Sequence, residues 1–266
     1  MLPTDPQESP EILVQRRHRC ATVTINRPQR HNALATATMA RLSSAIDELG
    51  ADPDIWVVVI TGIGERAFCA GGDLKEADEL ARAGKPYPHP MRGVHRNVFE
   101  AVLECRKPTI AAINGAAMGG GLELALACDI RLAVDDAQLA LPEAKRGMGA
   151  NFGSVLLPRL IPRAVALDLL YTGRTILPPE GERLGLINRS FPRSRFQAGV
   201  DSYCDELMAN APLTLQRYKQ MTTKGWDLPV HAALRLDVGP DPYSSEDRAE
   251  GVRAFLEKRP PVWRGR

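Results

Sequence analysis

Two glutamates twenty residues apart, Glu123 and Glu143, have the surroundings best suited to acid–base chemistry in this chain. Glu123 follows three consecutive glycines at positions 119–121, and Glu143 follows Pro142. Two carboxylates beside one reacting group can divide the work of taking up and delivering a proton. The pattern therefore predicts a proton-transfer site, provided that the fold brings the two side chains together.

Two glycine-rich segments are suited to supply backbone N–H donors to such a site. Residues 119–121 open a segment with helical character, where the first N–H groups are unpaired and the helix dipole favours negative charge. Ala70, Gly71 and Gly72 follow an apolar strand, and glycine lets the main chain approach a ligand closely. Paired N–H donors stabilise an oxyanion. Together with the two acids, they predict a site that forms and quenches an enolate.

Each of these features also has a plain structural interpretation, which the sequence leaves open. Glycines at 119–121 allow a helix to pack closely on a strand, and residues 70–72 suit a tight turn. A carboxylate in the first turn of a helix is favourable for the helix dipole, so Glu123 needs no catalytic role to occur there. Glu143, after a proline at a strand end, also matches a solvated loop acid.

Other chemistries receive little support from the motifs. Residues 62–67 (GIGERA) match a dinucleotide-binding fingerprint, but no helix opens within the motif and no acidic residue follows a second strand at the expected distance. Cys69 has no histidine near it in sequence, and no G-x-S-x-G elbow is present. None of the five histidines pairs at metal-ligand spacing, so we expect no metal and no separate cofactor.

The composition describes an ordinary globular protein. The 266 residues are 44% apolar and 25% charged, which is enough to bury a sizeable core in one large domain or one domain with an appendage. The net charge of +2 disfavours nucleic acid or a membrane as a partner. The start of the chain lacks the features of a signal peptide, and five scattered cysteines suggest reduced thiols. We therefore expect a cytoplasmic protein.

The periodicity of apolar residues predicts an α/β core followed by a helical C-terminal segment, divided into residues 1–192 and 193–266. In the core, the pattern predicts a buried strand at 56–61, a three-proline loop at 84–90 and helices at 94–105 and 120–128. In the C-terminal segment, it predicts helices at 197–210, 213–226, 230–238 and 246–258, the last capped by Ser244.

Taken in order, the motifs of this chain resemble those of the enoyl-CoA hydratase/isomerase (crotonase) family over essentially its whole length. The matching segments are 26–28 (NRP), 32–34 (NAL), 68–74 (FCAGGDL), 114–115 (NG), 119–124 (GGGLEL), 128–131 (CDIR), 142–143 (PE), 170–173 (LYTG), 184–188 (LGLIN) and 251–259 (GVRAFLEKR).

The resemblance implies a ββα-superhelical core, with C-terminal helices that build homotrimers, often paired into hexamers. It implies an acyl-CoA thioester as substrate, in fatty acid metabolism, with coenzyme A as part of the substrate. The thioester oxygen would be held by the N–H groups of Ala70 and Gly120, with Glu123 as the base on water and Glu143 as the acid to Cα. The expected substrate-binding residues are Ala33, Leu34, Gly71, Gly72, Asp73, Leu74, Gly119, Pro142, Phe152, Phe255 and Lys258.

The two acids decide between the reactions of this family. Members that only shift a double bond or hydrolyse a thioester commonly lack one acid of the pair, so the presence of both favours hydration of a 2-enoyl-CoA. The alternatives are a double-bond isomerase, a dehydratase of an unusual acid or a thioester hydrolase. A non-catalytic assembly protein or a nucleic-acid-binding protein would show a basic stripe, but Arg and Lys are interspersed with acids here.

One segment departs from the family pattern. After Glu143, the family usually carries a proline and a run of glycines, whereas residues 144–153 read AKRGMGANFG and place Phe152 where glycine is common. In the family this segment borders the acyl pocket. Phe152 therefore either lines the pocket and alters its shape, or points into the core and fills space.

Overall fold

The strands form two sheets in the computed structural model, which describes residues 10–86 and 96–266. In this part of the chain, the strands are β1 (Ile12–Arg17), β2 (Cys20–Ile25), β3 (Val57–Gly62), β4 (Ala67–Cys69), β5 (Thr109–Ile113), β6 (Ala116–Met118), β7 (Ile130–Val134), β8 (Leu139–Ala140) and β9 (Arg189–Phe191). The larger sheet has the order β1-β2-β3-β5-β7-β9 and is parallel except between β1 and β2. The smaller sheet is parallel, in the order β4-β6-β8.

Helices complete a repeating unit with these strands. Within the described ranges, the helices are α1 (Thr36–Ala51), α2 (Leu74–Arg82), α3 (Val98–Glu104), α4 (Gly120–Ala127), α5 (Gly153–Leu160), α6 (Arg163–Thr172), α7 (Pro178–Arg183), α8 (Arg193–Met208), α9 (Pro212–Gly225), α10 (Val230–Ala233) and α11 (Glu246–Leu256). A strand of the large sheet, a strand of the small sheet and a helix recur as β3-β4-α2 and β5-β6-α4. This confirms the predicted α/β class and its ββα arrangement.

The core lies around the centre of the large sheet. All residues of β5 are buried, and β3 is buried except at Thr61. Continuous apolar strands of this kind are typical of parallel sheets that are covered on both faces. Helix α1 adds a stripe formed by Leu42, Ile46 and Leu49, which recur at helical spacing and are all buried. None of the helices in the described ranges combines the length and apolar character that crossing a bilayer requires.

Several boundaries differ from the predictions. Helix α8 begins at Arg193, four residues early, because Pro192 sits at its N-cap position with a φ of −54°. The last helix ends at Leu256, and its cap is Ser245 instead of Ser244, since the Ser245 side chain accepts the N–H of Arg248. Helix α3 begins at Val98.

Some elements were missed and one prediction lies outside the described residues. Strands β4, β6 and β9, of three residues each, are too short for periodicity to mark them, and the pattern also does not mark helices α5 to α7. Helix α10 ends at Ala233, well short of the predicted residue 238. Most of the predicted loop at 84–90, from residue 87 onward, and the predicted start of the helix at 94 lie outside the described residues.

Two buried asparagines hold the loops that follow the central strands. Asn32 donates from Nδ2 to the carbonyl oxygen of Ala67 at 2.7 Å. Asn114 donates from Nδ2 to the carbonyl oxygens of Gly62 and Gly64 at 2.8 and 2.6 Å. Satisfied buried amides of this kind define one loop geometry, because each amide left unpaired would cost free energy. The loops that lead into residues 70–73 and 119–123 are therefore fixed to the sheet.

The C-terminal helices are tied to the core by buried polar contacts. Lys219 of α9, whose side chain is 6% exposed, places Nζ 2.8 Å from an Asp129 carboxylate oxygen at the start of β7. Arg193 of α8 donates to the carbonyl oxygen of Asn114 at 3.0 Å. These contacts cross the predicted division between residues 1–192 and 193–266, which stays a prediction.

Candidate active site

The three glycines at 119–121 allow helix α4 to begin directly against the end of β4. A Cβ at Gly121 would lie 2.0 Å from the carbonyl oxygen of Cys69, so only glycine fits there. Gly119 has a φ of +54°, a conformation that side chains rarely adopt. The glycines therefore do allow the helix to pack closely on the strand, as their structural interpretation predicts. This packing also exposes the first turn of α4 to whatever occupies the site.

Glu123 lies in that first turn and is only 7% exposed. One of its carboxylate oxygens accepts the Gly153 N–H, the first of helix α5, at 2.8 Å. Burial, with a smaller contribution from the nearby Glu143 charge, raises the pKa of Glu123 to about 7, although the hydrogen bond from Gly153 opposes the shift. A carboxyl group with this pKa is able to exchange a proton near neutral pH.

Glu143 opens a 3₁₀ turn, Glu143–Arg146, and reaches back over the start of α4. Its Oε1 is 2.8 Å from the point where a Cβ of Gly119 would lie. Its Oε2 is buried and has no hydrogen-bond partner among the described residues. Burial raises the pKa of Glu143, and the Arg146 charge opposes that shift. The structure therefore brings the two predicted acids to the same helix start.

Two backbone N–H groups lie close together beside these acids, on Gly72 and Gly120. A Cβ built on Gly120 would lie 3.6 Å from the Gly72 nitrogen. Leu34 and Gly72 form a parallel β-bridge. In this bridge the Leu34 N–H donates to the Gly71 carbonyl oxygen, and the Leu34 carbonyl oxygen accepts the Asp73 N–H. The Gly72 N–H therefore points away from Leu34. Within the described residues, neither N–H has a hydrogen-bond partner.

Ala70, predicted as one of the two donors, is not free to act as one. Its N–H donates to the carbonyl oxygen of His31 at 3.1 Å. The prediction for Ala70 is therefore wrong, because this bond is part of the loop itself. Gly72, two residues on and predicted only to bind substrate, carries the available N–H in this segment.

The predicted substrate-binding residues next to this turn have different roles. Ala33 and Leu34 are buried and hold the turn through the Leu34 bridge. Asp73 is buried, caps α2 by accepting the N–H groups of Lys75 and Glu76, and pairs with Arg27 at 2.8 Å. Its carboxylate is fully engaged, which contradicts a substrate contact through that side chain. Leu74 is half exposed at the start of α2.

An aromatic pair lies at the same place. Phe152, which directly precedes Gly153, packs its ring against Phe99 of α3 with 5.2 Å between ring centroids and 31° between planes. Cζ of Phe99 is 3.7 Å from the Cβ position of Gly120. Apart from its place in a predicted helix, nothing in the sequence marks Phe99 as part of the site. Pro142 immediately precedes the Glu143 turn.

Phe255 and Lys258, the remaining predicted contacts, lie on the surface of the single chain. Phe255 is 82% exposed on α11, which packs on the short turn Pro242–Ser244, and Lys258 follows that helix, also exposed. One chain by itself does not bring them to the acids.

Other reactive groups and cavities do not compete with this site. Burial raises the pKa of Cys69 to about 12, so its thiol stays protonated. In residues 10–86 and 96–266, no three His, Cys, Asp or Glu side chains are grouped to hold a metal ion. Open clefts of about 630 and 420 Å³ lie between β1 and α1 and between the large sheet and α8. Neither cleft contains Glu123 or Glu143.

The sequence profile of the enoyl-CoA hydratase/isomerase family matches residues 15–266. Among similar proteins, (E)-benzylidenesuccinyl-CoA hydratase of Thauera aromatica is 39% identical over 260 residues, covering 92% of this chain and 95% of that protein. Carnitinyl-CoA dehydratase of Salmonella typhi is 36% identical, covering 92% and 94%. The crystal structure of enoyl-CoA hydratase from Bacillus anthracis superposes with a TM-score of 0.86 at 31% identity, covering 97% of this chain and all of that one.

The raised pKa of Glu123 predicts how stability depends on pH. The pKa of Glu123 is 4.5 in the unfolded chain and about 7 in the folded protein. The folded state therefore binds the proton more tightly than the unfolded state, and the protein loses stability as the pH rises from 4.5 through 7. Relative to wild type, Glu123→Gln should gain on the order of 1–3 kcal/mol at pH 8 and almost nothing at pH 4.5. Denaturant unfolding at both pH values measures this.

The matched control is Glu79→Gln on the exposed face of α2, which should leave the pH dependence as in wild type. Equal stability changes for Glu123→Gln at pH 4.5 and pH 8 would contradict the raised pKa.

Proposed function

The chain belongs to the enoyl-CoA hydratase/isomerase family, and from this premise we propose that it is a 2-enoyl-CoA hydratase, which adds water reversibly to the double bond conjugated with the thioester. The observation that carries the proposal is a pair of carboxylates at the start of α4, buried Glu123 and half-buried Glu143, beside two unpaired backbone N–H groups. An isomerase or a hydrolase would have less use for two such acids.

The thioester carbonyl oxygen would accept the N–H groups of Gly72 and Gly120. Both groups are accessible, since Gly72 is exposed and Gly120 partly so. Attack of water on C3 moves electrons onto this oxygen, and the two donors stabilise the resulting enolate more than the neutral carbonyl. The N-terminal end of α4 adds its positive dipole end at the same point. This arrangement lowers the barrier without moving any group.

The two glutamates would share one water molecule. Glu123 in its ionised form takes a proton as the water oxygen bonds to C3, and Glu143 in its protonated form delivers its proton to C2 as the enolate collapses. The product is a 3-hydroxyacyl-CoA. A proton transfer from Glu123 back to Glu143 then restores the starting state. Their raised pKa values support such an exchange, because burial favours the protonated form of each acid relative to its ordinary balance.

The names of the relatives support this chemistry at a coarser level. Water addition and water removal are the same reaction in opposite directions, and the relatives named hydratase and dehydratase cover both. The same two acids serve in either direction by microscopic reversibility. We therefore propose hydration and dehydration at C2 and C3 as one activity of this site, with the direction set by substrate supply.

We further propose that the protein works as a trimer or a dimer of trimers in the cytoplasm. Apolar side chains stand exposed on the C-terminal segment, among them Leu234, Phe255 and Leu256, each at least 73% exposed. Exposed apolar clusters commonly mark interfaces. A neighbouring chain would bury these residues and could bring Phe255 and Lys258 to a coenzyme A group. The five cysteines are all free, which suits a reducing compartment.

Removing either acid should lower hydration strongly while leaving binding intact. Glu123→Gln and Glu143→Gln should each reduce kcat by about 10²–10⁴-fold with little change in the Kd for an unreactive acyl-CoA. Because they act on one water, the double variant should lose less than the product of the two single losses. Loss of the conjugated thioester absorbance, with a parallel assay for free thiol, follows the reaction.

Thiol release in place of water addition would identify a hydrolase and overturn the proposal. Near-full hydration by either single variant would remove that residue from the mechanism. Glu79→Gln again serves as the control.

Filling the space between the donors should stop turnover without unfolding the protein. The nearest atoms to a Cβ at Gly120 are 3.6 and 3.7 Å away, which are ordinary contacts, so Gly120→Ala should fold. The methyl group would occupy the position of the oxyanion, and loss of one donor typically costs about 10²–10³-fold in kcat. Gly50→Ala is the control, since its Cβ would meet only Cys105 Sγ at 3.4 Å. Wild-type kcat in a folded Gly120→Ala would refute the placement.

Assembly is testable in solution. Light scattering at micromolar concentration should give the mass of a trimer or a hexamer of the 29.1 kDa chain. Phe255→Asp together with Leu256→Asp should shift the mass downward, since charges on an apolar interface are costly. A wild-type monomer would contradict the proposed assembly.

A further inference from the structure

The aromatic pair formed by Phe99 and Phe152 has no part in the proton transfers described above. Both rings are almost fully buried, at 4% and 6% exposure, and they meet at 5.2 Å with a tilt of 31°. Offset and tilted aromatic pairs at this separation are stable arrangements that hold both rings in place. The pair is therefore a rigid surface and not a mobile one.

The aromatic pair lies close both to the backbone N–H donors and to Glu123. One point, the Cβ position of Gly120, is 3.6 Å from the Gly72 nitrogen and 3.7 Å from Cζ of Phe99. At the other ring, Phe152 is bonded directly to Gly153, whose N–H donates to Glu123 at 2.8 Å. Phe99 thus lies at the N–H donors, and Phe152 lies next to the residue that bonds the acid.

A substrate fixed at both of these places must continue toward the rings. The carbonyl oxygen is held at the donors, and C2 and C3 must lie within reach of the two glutamates. The acyl carbons beyond C3 then emerge beside Phe99 and Phe152. Because the rings are buried and packed, they leave little free volume for a long straight chain, whereas a small or flat group fits against a ring face.

We propose, on the basis of the proposed function, that Phe99 and Phe152 form the wall of the acyl subsite. They select thioesters whose acyl group is short, or ends in a planar aromatic group, over those with a long straight chain. Phe152, which stands where the family commonly has glycine, sets this preference. Phe99 holds the Phe152 ring in position.

The alternative is that both rings only fill the core, since Phe152 belongs to the cluster of buried apolar residues. A matched control separates the two. Phe196 on α8 is buried to the same degree, 7% exposed, and lines the cleft between the large sheet and α8. Phe196→Leu removes the same atoms from a core position remote from the acids.

The experiment measures the Kd of unreactive saturated thioesters by calorimetry, with butanoyl-, dodecanoyl- and 3-phenylpropanoyl-CoA as probes. Wild type should bind the butanoyl and phenylpropanoyl esters at least about 10-fold more tightly than the dodecanoyl ester. Phe152→Leu and Phe99→Leu should each reduce that preference by roughly 10-fold, and Phe196→Leu should not alter it. Circular dichroism and thermal unfolding check that each variant is folded.

Binding and turnover separate the two proposals. A wild type that binds the dodecanoyl ester as tightly as the others would overturn the aromatic wall, whether or not any variant folds. Unchanged Kd ratios in folded leucine variants would do the same and leave the rings a role in packing alone. Shifted ratios in a protein that fails to hydrate four-carbon, eight-carbon and cinnamoyl 2-enoyl-CoAs would uphold the wall and reject the hydratase.

Discussion

The close approach of helix α4 to the end of strand β4 is the constraint on which the site depends. The Cα of Gly121 lies so near the Cys69 carbonyl that no side chain fits between them. That contact presents the unpaired N–H groups of the first turn of α4 to the turn at residues 71–73, and it sets Glu123 in the same first turn. A larger residue at 121 would push the helix away and separate the donors from each other and from the acid.

Holding two carboxyl groups in a buried place has an energetic cost, and the surrounding helices limit it. The start of α5 donates to Glu123, which partly offsets the loss of water around the ionised form. Glu143 keeps one buried oxygen without a partner in the described part of the chain. Unpaired buried polar atoms are rare in proteins, so this oxygen is available to bond the water molecule that the proposed reaction needs. The site thus combines one restrained carboxylate with one that is open to substrate.

Several residues of the family motifs, among them Asp73, which was predicted to bind substrate, support the loops around the site. Arg27 and Asp73 form a buried ion pair that ties the turn at 71–73 to the loop after β2, and Asn32 joins the same loop to the start of β4. Breaking one partner of such a pair leaves a buried charge unmatched, which is strongly destabilising. Their identity is explained by this demand for exact loop geometry, without any contact to substrate.

The sequence by itself determined the fold class, the family resemblance and the two acids. These follow from local signals: apolar runs for buried strands, glycines where a helix opens, and glutamates at defined offsets from them. Only the tertiary structure decided which N–H was free. Ala70 and Gly72 belong to the same glycine-rich turn, and the bond from Ala70 to His31, a residue 39 positions away, excludes one of them. Likewise, Phe99 meets Phe152 through packing between α3 and the segment before α5. Hydrogen-bond pairing and ring packing between distant segments depend on how elements meet in space, and residue type and spacing do not encode that directly.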